Sequence, residues 1–300
     1  MEHLSDDDIV REILSRLKAK DRANHDLIVV TKKLEALNSR LLESEKLKSN
    51  FLSNIRNEVN NPLTSVLTLC DILLTNGGTE DAETVKSIVS SIHKEAFYLS
   101  FQMRNIFAAA ELEAGEALFG ASSVDVGSLI RSTMDSFQHR ALEKGISVSF
   151  VPDDKLKQTP VFSTDPEKFQ IIVMNLLANA IEYSHEGGAV EIRAWRDNAA
   201  LGVSVADQGI GIDEADREII FERFKQLDSG SSKRHGGHGL GLSITKAALE
   251  LIGGRITVGG KAGGGSVFTV SVPEAAPGAG AFSDNGNDFF FKDGGHSERF

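Results

Sequence analysis

"GGHGLGLSITK" at residues 236–246 joins a run of glycines to an apolar helix that opens near Leu240. A loop of this composition can aim backbone N–H groups, and the first turn of the helix behind it, at an anion such as a phosphate oxygen. Upstream, "VADQGIGID" at 205–213 sets Asp207 at the end of a strand-like run, followed by Gly209 and Gly211. The carboxylate is an acceptor for an amino group, and the glycines leave no Cβ to obstruct a planar ring. "NLLANAIEYS" at 175–184 places Asn175 and Asn179 four apart on one helix face, two neutral amides suited to a phosphate-bridging divalent cation and its waters. Between the two glycine-bearing segments, "IIFERFKQLDSGSSKRHGG" at 219–237 supplies the aromatic pair Phe221 and Phe224. A polar, basic segment follows, as a lid over a charged ligand requires. Arg223, Lys225, Lys233 and Arg234 are either within reach of phosphates or ordinary solvated surface charge.

Around these segments lie "ISVSF", "AVEIRAWR", "LGVSVAD", "RITVGG" and "SVFTVSV", short alternating runs interspersed with helical stretches. Residues 122–275 are therefore expected to form an α/β sandwich with a mixed sheet. The first part of the chain has a different texture. Leu27, Val30, Leu34, Leu37 and Leu41 follow a 3-4-3-4 spacing without Gly or Pro, which predicts a coiled-coil helix over 27–50, preceded by an N-terminal segment, 1–26. The seam is displaced where Ser44 and Lys48 meet the register. A helical hairpin is expected over 51–117, its turn at "TNGGTED" and its return helix over about 82–115. Its apolar faces are too wide for two helices to hide from water, which predicts a homodimer with a four-helix bundle. The overall fold class is thus α+β. Residues 276–300 are rich in Gly, Asp, Asn and Ser and are expected to be disordered, although Phe289, Phe290 and Phe291 stand together as a sticky tail or a docking peptide.

Composition narrows the function classes. A net charge of −11 excludes a broad electrostatic grip on nucleic acid. The single cysteine, Cys70, excludes an internal disulfide framework or a cysteine metal cage. No apolar run reaches the roughly 18 residues of a membrane span, and the acidic start "MEHLSDDDIV" lacks secretory features, so the expected location is the cytoplasm.

In this order and spacing, the four segments resemble the N, G1, F and G2 boxes of the sensor histidine kinase family, and the resemblance extends over residues 51 to about 273. It implies an ATP and Mg²⁺ site in which Asn179 binds the metal with Asn175 assisting and Asp207 receives the adenine amino group. Tyr183 would lie beside the ring, while Phe221, Phe224, Lys225, Gly209, Gly211, Gly237, Gly239, Leu240 and Gly241 would shape pocket and lid. Glu182 departs from the pattern, because many relatives place a phosphate-contacting lysine there, and it implies weaker ATP binding. Asn175 stands where gyrase- and chaperone-type ATPases and the serine kinases on this fold carry a glutamate base. A water or hydroxyl nucleophile needs that base and an imidazole needs much less help, so Asn175 points to the histidine kinase branch.

"FLSNIRNEVNNPLTSV" at 51–66 resembles the same family's H box, with Asn57 in place of the phosphate-accepting histidine. Phe51, Glu58, Asn61, Pro62 and Leu63 fit the pattern. An imidazole offers an in-plane nitrogen lone pair, whereas an amide nitrogen has donated its pair to the carbonyl, so Asn57 is expected to accept no phosphoryl group. His93, His139, His235 and His238 do not replace position 57 by spacing. Three interpretations stay open. The chain is an ATP-binding pseudokinase adaptor. Alternatively it acts on others, phosphorylating a His-bearing kinase partner or using Glu58 and Asn61 to position water against the aspartyl phosphate of a response regulator receiver. In the third, Asn57 is an introduced change in an ordinary kinase.

Overall fold

The computed structural model describes residues 6–75, 81–197, 199–223, 225, 239–260 and 264–276, and within the first helix the side chains of Asn57 and Glu58 lie outside that description. The expected hairpin turn, the lid residues Phe224, Lys233, Arg234, His235, Gly237 and His238, and the tail from 277 onward also lie outside the described residues. The chain divides into two compact units, Met1–Asn54 and Ile55–Phe300. Among the described residues no helix is long and apolar enough to cross a membrane.

Helix α1, Asp6–Thr75, runs without interruption through both the expected seam break and Pro62. Pro62 has no N–H to offer the Glu58 carbonyl, so one helical hydrogen bond is lost there, yet the helix does not end. In the first unit, Leu27, Val30, Leu34, Leu37 and Leu41 are all more than half exposed. Helix α2, Ala82–Ala114, starts at Asp81, whose side chain accepts the Thr84 N–H at 2.7 Å, and stops at Gly115 with φ +68°. On the hairpin, Leu67, Leu74, Val89 and Phe107 remain exposed, as the excess apolar width predicted.

The five expected strands are present, Ser147–Pro152 (β2), Ala189–Asp197 (β4), Ala200–Ala206 (β5), Arg255–Gly260 (β6) and Ser266–Pro273 (β7). They form one sheet in the order β2-β4-β5-β7-β6, parallel between β2 and β4 and antiparallel elsewhere. Ser122–Asp125 (β1) and Val161–Thr164 (β3) form a separate small antiparallel ribbon. Helices Val126–Glu143 (α3), Pro166–Tyr183 (α5) and Gly241–Leu251 (α6) supply the core, with the short Asp154–Gln158 (α4) at the edge. Alternation puts Val190, Ile192, Leu201, Val203, Val205, Val270 and Val272 on the buried face. On the opposite face Trp195 lies over its cross-strand partner Gly202, where a Cβ would come within 2.2 Å of the indole.

Helix α5 carries Phe169, Ile172, Val173, Leu176, Leu177, Ala180 and Ile181, a continuous apolar stripe at helical spacing, all buried. Its start is fixed by Asp165, which accepts the Glu167 and Lys168 N–H groups with one oxygen and the Gly120 N–H with the other. Pro166 follows at the first helical position, where a missing N–H costs nothing. The chain that leaves α2 is thereby tied to the helix that carries the two asparagines. Helix α2 also lies against this domain directly, through edge-on contacts of Phe97 and Phe101 with Phe137 at 5.3 and 5.6 Å and a Lys94–Glu143 ion pair at 2.5 Å.

Candidate nucleotide site

One pocket gathers residues from most of the segments singled out in the sequence. Asn175, Asn179 and Tyr183 reach it from α5, Asp207 and Gly211 from the loop after β5, Lys225 from the segment where a lid is expected, and Gly239, Leu240 and Gly241 from the start of α6. Gly209 stands behind the pocket rather than in its lining, and Phe221 packs against the core with Lys246 over its ring. Asn61 is exposed on α1 and does not line the pocket.

Asp207 is 4% exposed and holds the loop together. Its Oδ1 accepts the Gly209 N–H at 2.9 Å and the Ser266 N–H at 3.1 Å, so one carboxylate oxygen joins two strand ends. Gly209 is required for a reason different from the expected one. A Cβ there would stand 2.1 Å from the carbonyl oxygen of Tyr183, so the glycine admits the protein's own backbone, where Ser184 and Gly209 form a bridge. Gly211 lines the pocket, and its φ of +77° adds a second reason for glycine, a backbone that ordinary side chains avoid.

Asn175 is 2% exposed, and its Nδ2 has no hydrogen-bond partner among the described residues. A buried amide left unpaired costs about 1–3 kcal/mol, which a bound water or ligand can recover. Its Oδ1 packs against Gly241, where an added Cβ would lie 3.3 Å away, so a larger residue at the start of α6 would push the Asn175 amide by a few tenths of an ångström. No group of three acidic, His or Cys side chains able to hold a metal occurs among the described residues. A cation at Asn179 would therefore depend on oxygens brought by the ligand.

Tyr98, Phe101, Gln102 and Asn105 of α2 form a wall of the same pocket, at the i, i+3, i+4, i+7 spacing of one helix face. In the sequence that face belongs to the hairpin, and nothing there connects it with the pocket. Asn105 is 4% exposed, and its Oδ1 is also without a partner among the described residues. Arg140 and Glu182 complete this side, joined at 2.5 Å. Arg223, considered a phosphate contact, does not line the pocket; it is half-buried, and burial lowers its pKa while Glu113 at the end of α2 opposes that shift. Lys225 pairs with Glu222 at 2.6 Å.

Residues 164–276 match the family of histidine kinase-, DNA gyrase B-, and HSP90-like ATPases, and residues 47–115 match the His Kinase A (phospho-acceptor) domain. The circadian input-output histidine kinase CikA of Synechococcus elongatus is 32% identical over 228 residues, covering 76% of this chain and 30% of the relative. The signal transduction histidine-protein kinase BarA of Escherichia coli is 30% identical over 264 residues, covering 83% and 28%. The chain thus spans under a third of these relatives' length. Among solved structures, full-length ShkA in complex with AMPPNP is 26% identical with a TM-score of 0.53, over 78% of this chain and 46% of that one. ThkA in complex with the response regulator protein TrrA, 23% identical with a TM-score of 0.50 over 78% and 64%, shares the fold. The two family matches together take up more than half of the residues, and the protein belongs to the sensor histidine kinase family.

Proposed function

We propose that the protein is an ATP-binding member of two-component signalling that does not phosphorylate itself at position 57. Asn57 at the acceptor position, in a chain whose pocket gathers Asn175, Asn179, Tyr183 and Asp207, carries this reading. Residues 122–275 form the ATP-binding domain, and residues 51–117 the hairpin that dimerises as a four-helix bundle, extended by the coiled coil over 27–50. The protein works in the cytoplasm.

In the pocket, Asp207 receives the adenine amino group while its Oδ1 stays on the loop, and Tyr183 flanks the ring. Asn179, with Asn175 one turn before it, would hold a Mg²⁺ ion carried by the phosphates; the unpartnered buried Nδ2 of Asn175 is a donor and suits a phosphate oxygen or a metal-bound water. Gly239, Leu240 and Gly241 line the side of the pocket assigned to the phosphates, and Gly237, Phe221, Phe224 and Lys225 keep the pocket and lid roles that the family resemblance implies. Bound Mg²⁺ supplies charge neutralisation along the phosphate chain.

The partner is the receiver domain of a response regulator, and the chain acts there as an adaptor or phosphatase. The solved complex of ThkA with the response regulator protein TrrA supports a regulator as partner for a chain of this fold. Glu58 and Asn61 lie on the helix turn where water would be positioned against an aspartyl phosphate. The test is the decay of a phosphorylated receiver with and without the protein. Faster decay that Asn61→Ala abolishes supports the phosphatase; unchanged decay together with tight receiver binding assigns the adaptor role.

A further inference from the structure

Charges facing the pocket from the described residues are few: Arg140 and Lys225 are cationic, Glu182 and Asp207 anionic. Lys225 is exposed and engaged with Glu222, and Asp207 is committed to the loop backbone. A nucleotide polyphosphate therefore meets one carboxylate, Glu182, at the end of the helix face that carries Asn175 and Asn179. Left alone, that carboxylate would repel the ligand.

It is not left alone. Arg140 in the last turn of α3 and Lys144, the residue that caps that helix, both grip the last turn of α5. Lys144 Nζ donates to the carbonyl of Ile181 at 3.1 Å and to that of Glu182, placing a positive charge at the negative end of the helix. Arg140 Nη2 donates to Glu182 Oε2 at 2.5 Å, and its guanidinium lies 5.7 Å from the centre of the Tyr98 ring on α2. The arginine side chain is about a third exposed, at 31%, and that carboxylate is its hydrogen-bond partner among the described residues. A guanidinium has five N–H donors in a rigid fork, so one bond to Glu182 leaves donors that can serve a second anion.

We propose that Arg140 is a nucleotide-binding residue of this site, held by Glu182 and Tyr98 so that its remaining N–H groups meet the phosphate chain. Glu182 is then the anchor of that cation instead of a bare repulsive charge, and the weakened ATP binding expected from Glu182 is offset by a residue 42 positions earlier. This inference rests on the assignment of the pocket to ATP.

The experiment measures dissociation constants of adenosine, ADP and ATP with Mg²⁺, by calorimetry on the whole chain, for the wild type and for Arg140→Ala, Arg140→Lys and Arg140→Ala/Glu182→Gln. Arg140→Ala is expected to leave adenosine nearly unchanged and to weaken ATP by about 10- to 100-fold, with ADP between, because the loss scales with phosphate charge. Arg140→Lys retains most of the ATP affinity, and Glu182→Gln in the Arg140→Ala background recovers part of it by removing the stranded carboxylate. Equal losses for adenosine and ATP, or an unchanged ATP constant, would overturn the proposal. Should the wild type bind none of the three ligands, the assignment of the pocket to ATP falls, and this inference with it.

Discussion

The nucleotide pocket and the acceptor turn around Asn57 carry their functions in opposite ways. The pocket is assembled from α2, α3, α5, the loop after β5, Lys225 and the start of α6, and some of its members also hold the fold together. Asp207 joins two strand ends and Gly241 packs on Asn175, while Gly209, outside the lining, admits the Tyr183 carbonyl to the same loop. The acceptor turn is a stretch of one continuous helix, and its chemistry depends on the lone pair of a single nitrogen. A pocket of the first kind loses structure when it loses a member. An acceptor of the second kind can lose its reaction while the helix persists.

The largest effect that would test this contrast is expected from Gly209→Ala. With a Cβ 2.1 Å from backbone, the loop must move, and a loss of about 2–4 kcal/mol in denaturant unfolding is expected. Wild-type stability in this variant would break the claim that Gly209, behind the pocket, is structural. Asp207→Ala strands two buried N–H groups and should cost about 2–3 kcal/mol. Asp207→Asn keeps an acceptor for them, so it should lose nucleotide affinity, by roughly 10- to 100-fold, with much smaller loss of stability. Comparable melting curves for the two variants would count against the double role of Asp207.

Smaller changes sharpen the other half of the comparison. Asn57→His exchanges two residues of similar helix propensity and should alter stability by less than about 0.5 kcal/mol in the same unfolding assay. Glu250, on the exposed side of α6, has its pKa raised by burial, opposed by Lys246. The folded state thus holds that proton more tightly than the unfolded chain. Its favourable contribution is complete below the ordinary glutamate pKa and is lost as pH rises through the higher folded value. Glu250→Gln should flatten that decline by only about 0.3 kcal/mol, because solvent screens the charge, as thermal melts across the mildly acidic range would show.

How much of this was legible in the sequence depended on whether the signal was local. The five sheet strands were visible because alternating runs such as "SVFTVSV" need only one buried face to be recognised. The β1–β3 ribbon was missed, since "SSVD" and "VFST" are four-residue segments with little alternation to detect. The register break near Ser44 did not divide α1, because a helix without Gly or Pro there continues whatever its seam does. At the site, Asn175, Asn179 and Asp207 could be found because loop and helix chemistry sit beside them in the chain. Tyr98 and Asn105 form a recognisable helix face, but nothing local says which surface that face meets. Arg140 and Glu182 are likewise joined only by tertiary packing of α3 on α5.

The central claim is a competent nucleotide site in a chain whose acceptor position cannot accept. Incubation with γ-labelled ATP and Mg²⁺, comparing the chain as it stands with Asn57→His, tests it most directly. Label is expected in the Asn57→His variant and not in the parent chain. Equal labelling of both, or a variant that binds ATP yet stays unlabelled, would contradict the account.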